Sequence, residues 1–344
     1  MTMKISMKPW LTMALGTVLG SLTVHAISQP DSSAPVATLL ASELEGSFGS
    51  TVGPGGALYV TESAAGRISR VDPVTGAVTT FATGLPQTIP AVGIGGPVDV
   101  AFIGSTAYVL VTLVGTDVGG DDIVGIYRVD GPASVTPIAD IGAFAINNPP
   151  ETDFFVPSGV QYALEAYSGG FLVTDGHHNR MLRVTLDRHA GVESGEVSQL
   201  IAFDNIVPTG FALSGNEVFM AQAGPVPHLP EDGKAVSFGL HSLDVSSVAS
   251  GARLLVDVEF GRGRTLFGLS QGLFPLGGDP GAPALPNTGA LMRANADGIF
   301  TSIVDRLNLP TSLEIIGNTA YVITLTGEIW KIDGIAGPPY GSAK

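Results

Sequence analysis

One strand-turn-strand outline recurs six times along this chain, and that recurrence limits the folds open to it more than any other feature. The first strands of the copies read ALYVT (57–61), TAYVL (106–110), GFLVT (170–174), EVFMA (217–221), TLFGL (265–269) and TAYVI (319–323). With Tyr59, Tyr108, Leu172, Phe219, Phe267 and Tyr321 taken as equivalent, the spacings are 49, 64, 47, 48 and 54 residues. A turn follows each anchor, then a strand ending in a basic residue and an apolar one: Arg70-Val71, Arg128-Val129, Arg183-Val184, Arg293-Ala294 and Lys331-Ile332. The fourth copy is degenerate there, at Ala235 to Phe238. Alternating segments precede the anchors (98–102, 158–164, 210–213, 312–316), and others follow the returning strands (77–82, 135–140, 197–202, 252–256, 299–304). These predict an inner and an outer strand for each unit, hence four strands per copy. A period near 50 with four strands belongs to propeller blades.

The 46 glycines and 24 prolines supply turns, and no stretch longer than a turn or two keeps a helical period. The expected fold is therefore all-β, a six-bladed β-propeller. The sixth copy has no outer strand of its own, because only residues 334–344 follow Asp333 and they are rich in Gly and Pro. Residues 35–40 carry the missing pattern, so the N-terminal strand is expected to complete the last blade and close the ring, removing exposed sheet edges. The expected organisation is a leader over 1–26, a linker over 27–34, a propeller over 35–333 and a flexible tail over 334–344.

Lys4 and Lys8 precede an apolar run from Trp10 to Val24 that ends in Val24-His25-Ala26, which is a signal-peptide layout. The expectation is cleavage after Ala26 and a secreted protein, extracellular or periplasmic, with no stable membrane insertion afterwards. There is no cysteine to bridge or to carry lipid. Removing Lys4 and Lys8 with the leader leaves 14 basic against 31 acidic side chains, a net charge of −17. Such a surface argues against nucleic acid and anionic lipid as partners.

In a propeller, the turns from second to third strands and the connections between blades emerge on one face. The hairpin of residues 169–187 puts the densest polar chemistry of the chain there, with Asp175, His177, His178 and Asn179 at its tip. Two long second-to-third connections join it, 223–233 with His228, Glu231 and Asp232, and 271–289 with Asn287; Glu62 ends the first anchor strand. Two readings stand side by side. His177, His178, His228 and Asp175 form a candidate metal set suited to Zn2+ or Ca2+. Alternatively, Asp175 and Asn179 bond the turn backbone while Arg180 packs on a carboxylate. Adjacent histidines rarely reach one ion, so only one of His177 and His178 is expected to point inward. Asp117 to Asp122 lacks the spacing of an EF-hand loop and reads as a solvated acidic loop; Arg262 and Arg264 read as carboxylate partners. No phosphate loop, nucleophile elbow or HExxH is present.

The turn Thr174 to Arg180 is similar to NHL-type propeller repeats. The segments GPGGALYVTE (53–62), VTDGHHNR (173–180), AGPVPHLP (223–230) and LPNTGAL (285–291) resemble the ScyD/ScyE family. That resemblance implies an exported NHL-like protein, of a kind named from the cyanobacterial cluster for the sunscreen pigment scytonemin; relatives also occur outside pigment makers. It supplies no catalytic residues. The expected function is binding or scaffolding, with a small molecule or protein on the loop face and an accessory role in extracellular metabolism. The alternative is a metal-dependent hydrolase or lyase, as propellers such as gluconolactonases support. There His228 or Asp175 would be a ligand and Glu62 or Glu231 the base.

Overall fold

The computed structural model describes residues 34–189 and 192–337; the expected leader, nearly all of the expected linker and most of the expected tail lie outside the described residues. Six four-stranded antiparallel sheets follow one another along the chain. Blade 1 is Ser47–Val52, Leu58–Glu62, Arg67–Val71 and Val78–Thr83; blade 2 is Gly96–Ile103, Thr106–Thr112, Gly125–Gly131 and Ser134–Asp140. Blade 3 is Gln161–Tyr167, Gly170–Asp175, Arg180–His189 and Val192–Ala202; blade 4 is Pro208–Ser214, Glu217–Gln222, Lys234–Gly239 and Ser246–Ser250. Blade 5 is Leu255–Phe260, Leu266–Ser270, Gly289–Ala294 and Phe300–Leu307. Blade 6 takes Pro310–Ile316, Thr319–Thr324 and Ile329–Asp333 from its own segment and its outer strand, Ala37–Ala41, from the start of the propeller. That closing strand pairs Ala37 with Ile332 and Leu39 with Trp330, so the ring is a six-bladed β-propeller closed as the sequence predicts.

Alternation drives the assembly. Residues facing outward from each sheet meet those of the next blade, and the buried apolar side chains fall into six clusters, one per blade boundary. The anchor positions sit at their centres: Tyr59 stands edge-on to Phe81 at 5.0 Å and to Phe102 at 4.7 Å. Such pairs add to the area term that dominates burial.

Two details depart from the sequence reading. Residues 252–256 are not an outer strand: Ser246–Ser250 fills that place in blade 4, and Leu255 opens the inner strand of blade 5. Leu254 and Val256 pack into the core on one side of blade 5 and Leu255 and Val258 into the core on the other, as an inner strand covered on both faces requires. In blade 3 the inner strand starts at Gln161 rather than Ser158, after a turn in which Gly159 has φ 77°. The 64-residue spacing comes from a two-turn helix, Ile141–Asn147, between blades 2 and 3, together with the 113–124 connection. Asp140 caps the helix by accepting from Ala143 N at 2.7 Å. No helix among the described residues is long and apolar enough to cross a membrane.

Every pairing of inner to second strand carries a register shift near its start, between Ser47 and Ser50 in blade 1 and between Leu255 and Asp257 in blade 5, for example. A bulge at this place re-aims the inner-strand backbone toward the axis. Freed N–H groups find side-chain partners: Thr61 Oγ1 accepts from Gly49 N at 3.0 Å, and Thr174 Oγ1 from Ala163 N at 3.1 Å.

Candidate functional site

The hairpin tip of blade 3 lies on the loop face, and the structure uses its polar groups internally. Asp175 pairs with Arg180 across the turn, and Asn179 adopts the left-handed backbone (φ 51°) that Asn tolerates. Asp175 Oδ1 accepts from Val160 N at 3.1 Å and His178 N at 3.2 Å, while Oδ2 stands 3.4 Å from Arg180 Nε. Arg180 is buried; its guanidinium donates to Asn148 O at 2.7 Å and to His178 Nδ1 at 2.8 Å, and lies 5.4 Å from the Phe144 ring. With Nδ1 accepting, His178 is assigned the tautomer whose Nε2–H donates to Val156 O at 3.0 Å. Burial holds its pKa below the usual imidazole value. His177 Nε2 accepts from Phe155 N at 2.8 Å and Val156 N at 3.1 Å, and burial lowers its pKa too. Asn179 Oδ1 accepts from Ile206 N and Val207 N, tying this tip to the connection into blade 4.

The remaining sequence-predicted residues stand apart from that tip. His228 is buried in its own loop, with Nδ1 3.2 Å from Ala223 O and its ring edge-on to Phe274 at 4.9 Å. Glu62 is buried in blade 1: it accepts from Arg67 Nε at 2.9 Å, Arg67 Nη2 at 2.6 Å, Glu45 N at 2.6 Å and Ser69 Oγ. Burial pushes the Glu62 pKa up, but these donors outweigh it and hold the carboxyl below its usual value. Glu231 is exposed, Asp232 half-buried, and Asn287 exposed with a left-handed backbone (φ 58°). Among the described residues no three His, Cys, Asp or Glu side chains stand close enough together to hold a metal ion.

A second cluster lies in the channel, and the sequence reading did not single it out. Inner strands of four blades send Asp99, Glu165, Asp257, Glu259 and Glu314 into one lumen of about 350 Å³, counted with its open mouth. They form two layers. The positions opposite the anchors are Thr51, Ala101, Glu165, Ala212, Glu259 and Glu314; two residues earlier come Gly49, Asp99, Ala163, Gly210, Asp257 and Ser312. The two aspartates occupy blades 2 and 5, opposite each other in a ring of six, and do the same work. Asp99 Oδ2 accepts from Leu164 N of blade 3 at 2.7 Å, and Asp257 Oδ2 from Leu313 N of blade 6 at 2.8 Å. Each fits because the preceding blade carries glycine: a Cβ on Gly210 would stand 2.1 Å from Asp257 Oδ1.

Among the described residues, no basic side chain lines the lumen. Burial pushes the Asp257 pKa up to about 7 despite its hydrogen bonds, and burial with the Asp257 charge takes Glu165 to about 8. Burial, together with their neighbours' charges, also raises Asp99, Glu259 and Glu314 well above the usual carboxylate range. The signal was present as single acids inside apolar strand patterns, Val98-Asp99-Val100 and Leu313-Glu314-Ile315.

A shallow groove of about 980 Å³, counted to the open surface, runs between blades 1 and 2 on the loop face; Leu85, Gln87, Ile89, Asp122 and Tyr127 line it.

A scan against protein-family models finds no match, and neither does a search of curated proteins. Solved structures do match. A gluconolactonase from Xanthomonas campestris is 12% identical, with 87% of this chain and 89% of that one covered at a TM-score of 0.57. The PQQ-bound aldose sugar dehydrogenase from Streptomyces coelicolor is 12% identical, with 87% and 98% covered at 0.56. Virginiamycin B lyase from Staphylococcus aureus is 15% identical, with 87% and 98% covered at 0.50. At these identities the likeness establishes the propeller fold and nothing finer.

Proposed function

We propose that the protein is an exported binding propeller of the ScyD/ScyE type, whose loop face takes a small molecule or a protein in an accessory extracellular role. One observation carries this reading: the loop-face histidines, with Asp175, Asn179 and Arg180, are engaged in hydrogen bonds within the protein, while apolar side chains project outward beside them. Phe155 is 66% exposed and Leu276 fully exposed, on connections held by their own hydrogen bonds. Rigid exposed apolar surface is a mark of recognition. The test is a ligand screen by thermal unfolding of the wild type and a Phe155→Ser/Leu276→Ser variant. A ligand that binds only the native state raises Tm by mass action, and the rise should vanish in the variant. Shifts that survive the double change, or no shift with any ligand class, count against the reading. Export is checked by sequencing the N-terminus of the protein recovered outside the cytoplasm, with Ile27 expected.

The channel favours a second reading, a hydrolase or lyase. Asp257 and Glu165, with pKa values of about 7 and 8, supply both an acid and a base near neutral pH. Lactone and ester cleavage assays, run with and without a chelator, test it. Turnover lost in both Asp257→Asn and Glu165→Gln supports general acid-base work at the channel mouth. Chelator-sensitive turnover supports the metal-dependent form, and rates equal to buffer sink both.

A further inference from the structure

The loop face carries a charge pattern as well as an apolar one, and the two together specify a partner. Three long connections around blades 3 to 5, 141–160, 223–233 and 271–288, emerge at this end. They expose Phe154, Phe155, Val226, Leu229, Leu276 and Leu285. The same segments contain Glu151, Asp153, Glu231, Asp232 and Asp279, and no lysine or arginine. Lys234, Arg253 and Arg306 flank them in neighbouring short segments. By contrast, Arg70, Arg128, Arg183, Arg293 and Lys331 on the third strands pair with the anchor positions, toward the opposite face, where Arg128 meets Asp130 and Glu193 and Lys331 meets Asp333. The long loop-face connections are therefore acidic and apolar, while the opposite face mixes both signs of charge in ion pairs.

The apolar positions are linked rather than scattered. Phe155 stands 4.2 Å from the His177 ring and Phe154 5.2 Å from that of His178. Asn179 connects this hairpin to Ile206 and Val207, whose carbonyls receive Gly224 N and Ala223 N; His228 then meets Phe274 of blade 5. The 271–288 connection is braced by Leu285 N donating to Leu273 O at 2.7 Å and Ala284 N to Gln271 Oε1 at 3.0 Å. Little ordering entropy remains to be lost on binding.

We propose that the loop face of blades 3 to 5 docks a basic amphipathic peptide segment of a partner protein, lysine or arginine interleaved with apolar side chains. The proposal rests on the binding reading above and narrows it. The band crosses three blades, which suits an extended or helical segment. Two copies of this chain joined through the patch would set Glu231 and Asp279 against their own equivalents, which disfavours a symmetric dimer. Anionic lipid meets the same repulsion.

The test uses fluorescence anisotropy of the full protein with four labelled peptides of equal length: lysine with leucine, lysine with serine, glutamate with leucine, and serine with leucine. The lysine-leucine peptide should bind at least about tenfold more tightly than the others. Its affinity should fall about tenfold in Glu231→Lys/Asp279→Lys and again in Phe155→Ser/Leu276→Ser. It should be unchanged in Asp297→Lys, an exposed acid on the opposite face. Equal binding of the lysine-serine peptide, equal loss in Asp297→Lys, equal binding of the glutamate-leucine peptide, or self-association through Leu276 each overturns it. If no peptide binds while the ligand screen still gives a Tm shift sensitive to Phe155 and Leu276, this proposal falls and the binding reading stands.

Discussion

At the residue scale, the chemistry of the loop face is organised by Arg180, a buried cation whose partners come from two parts of the chain. Asp175 and His178 lie in its own hairpin, but Asn148 O and the Phe144 ring belong to the connection after blade 2. Replacing Arg180 by Met keeps the packing and leaves Asp175 facing a buried apolar group. The expected cost is about 3–5 kcal/mol, read as a lower urea midpoint, and Asp175→Asn in the same background should recover part of it. Equal stability of Arg180→Met and the wild type would show that the pair is not a structural tie. Half of this arrangement was legible in the sequence. The spacing from Asp175 to Arg180 announces a turn whose carboxylate is answered by the arginine, and the structure has that. What the histidines do was not legible, because the groups they bond, Phe155 N, Val156 N and Val156 O, lie over twenty residues away on a connection with no pattern of its own.

At the element scale, the inner strands decide what the channel holds. Six strands with the same bulge bring the same two positions of each blade to the axis, so one or two acids in each of several strands become a cluster. In the sequence, Asp257 and Glu259 look like the polar half of an ordinary alternation, and only ring closure shows that they face a narrow shared channel rather than the outer surface. Their raised pKa values mean that the folded state binds more protons than the unfolded chain between about pH 4 and 8. Stability from this cluster is therefore present on the acid side of that window and lost as pH rises through it. His177, His178 and His228 act in the opposite sense, since their lowered pKa values cost stability as pH falls below about 6.5. The channel contribution is isolated by comparing the wild type with Glu259→Gln/Glu314→Gln. The variant should be more stable by about 1–2 kcal/mol at pH 8, with the gap closing toward pH 5. A gap independent of pH would refute the ionisation argument. The same strands explain the glycine at Gly210: Gly210→Ala sets a methyl against Asp257 and should cost about 2–3 kcal/mol by chemical denaturation, with the adjacent Phe211 core loosened.

At the scale of the whole molecule, the ring was the most legible feature, because its evidence is spread over six copies and no single degenerate unit, such as the fourth, can erase it. The boundary between blades 4 and 5 was misplaced where that periodicity is weakest and an apolar run continues from loop into inner strand. Closure was legible for another reason: a last blade with three strands leaves an unpaired edge, and the chain has one spare strand of the right pattern at its other end. In the structure Ala37–Ala41 occupies that edge, Thr38 Oγ1 donating to Lys331 O at 3.1 Å and Ala41 packing with Ile329 and Ile323. The strand joins residues nearly 300 apart in sequence, so it contributes to the cooperativity of the whole ring as well as to one sheet. Replacing Ala37–Ala41 by a Gly-Ser segment of equal length removes its side chains and its strand propensity and bares the strand Ile329–Asp333. The expected outcome is a loss of about 2–4 kcal/mol by urea denaturation, with concentration-dependent association on size exclusion as the freed edge pairs between molecules. A synthetic peptide of residues 35–41, added in trans, should suppress the association by refilling the edge. Association that ignores the peptide would place the exposed surface elsewhere, and an unchanged midpoint would mean that the other three strands of blade 6 hold the ring shut without the closing strand.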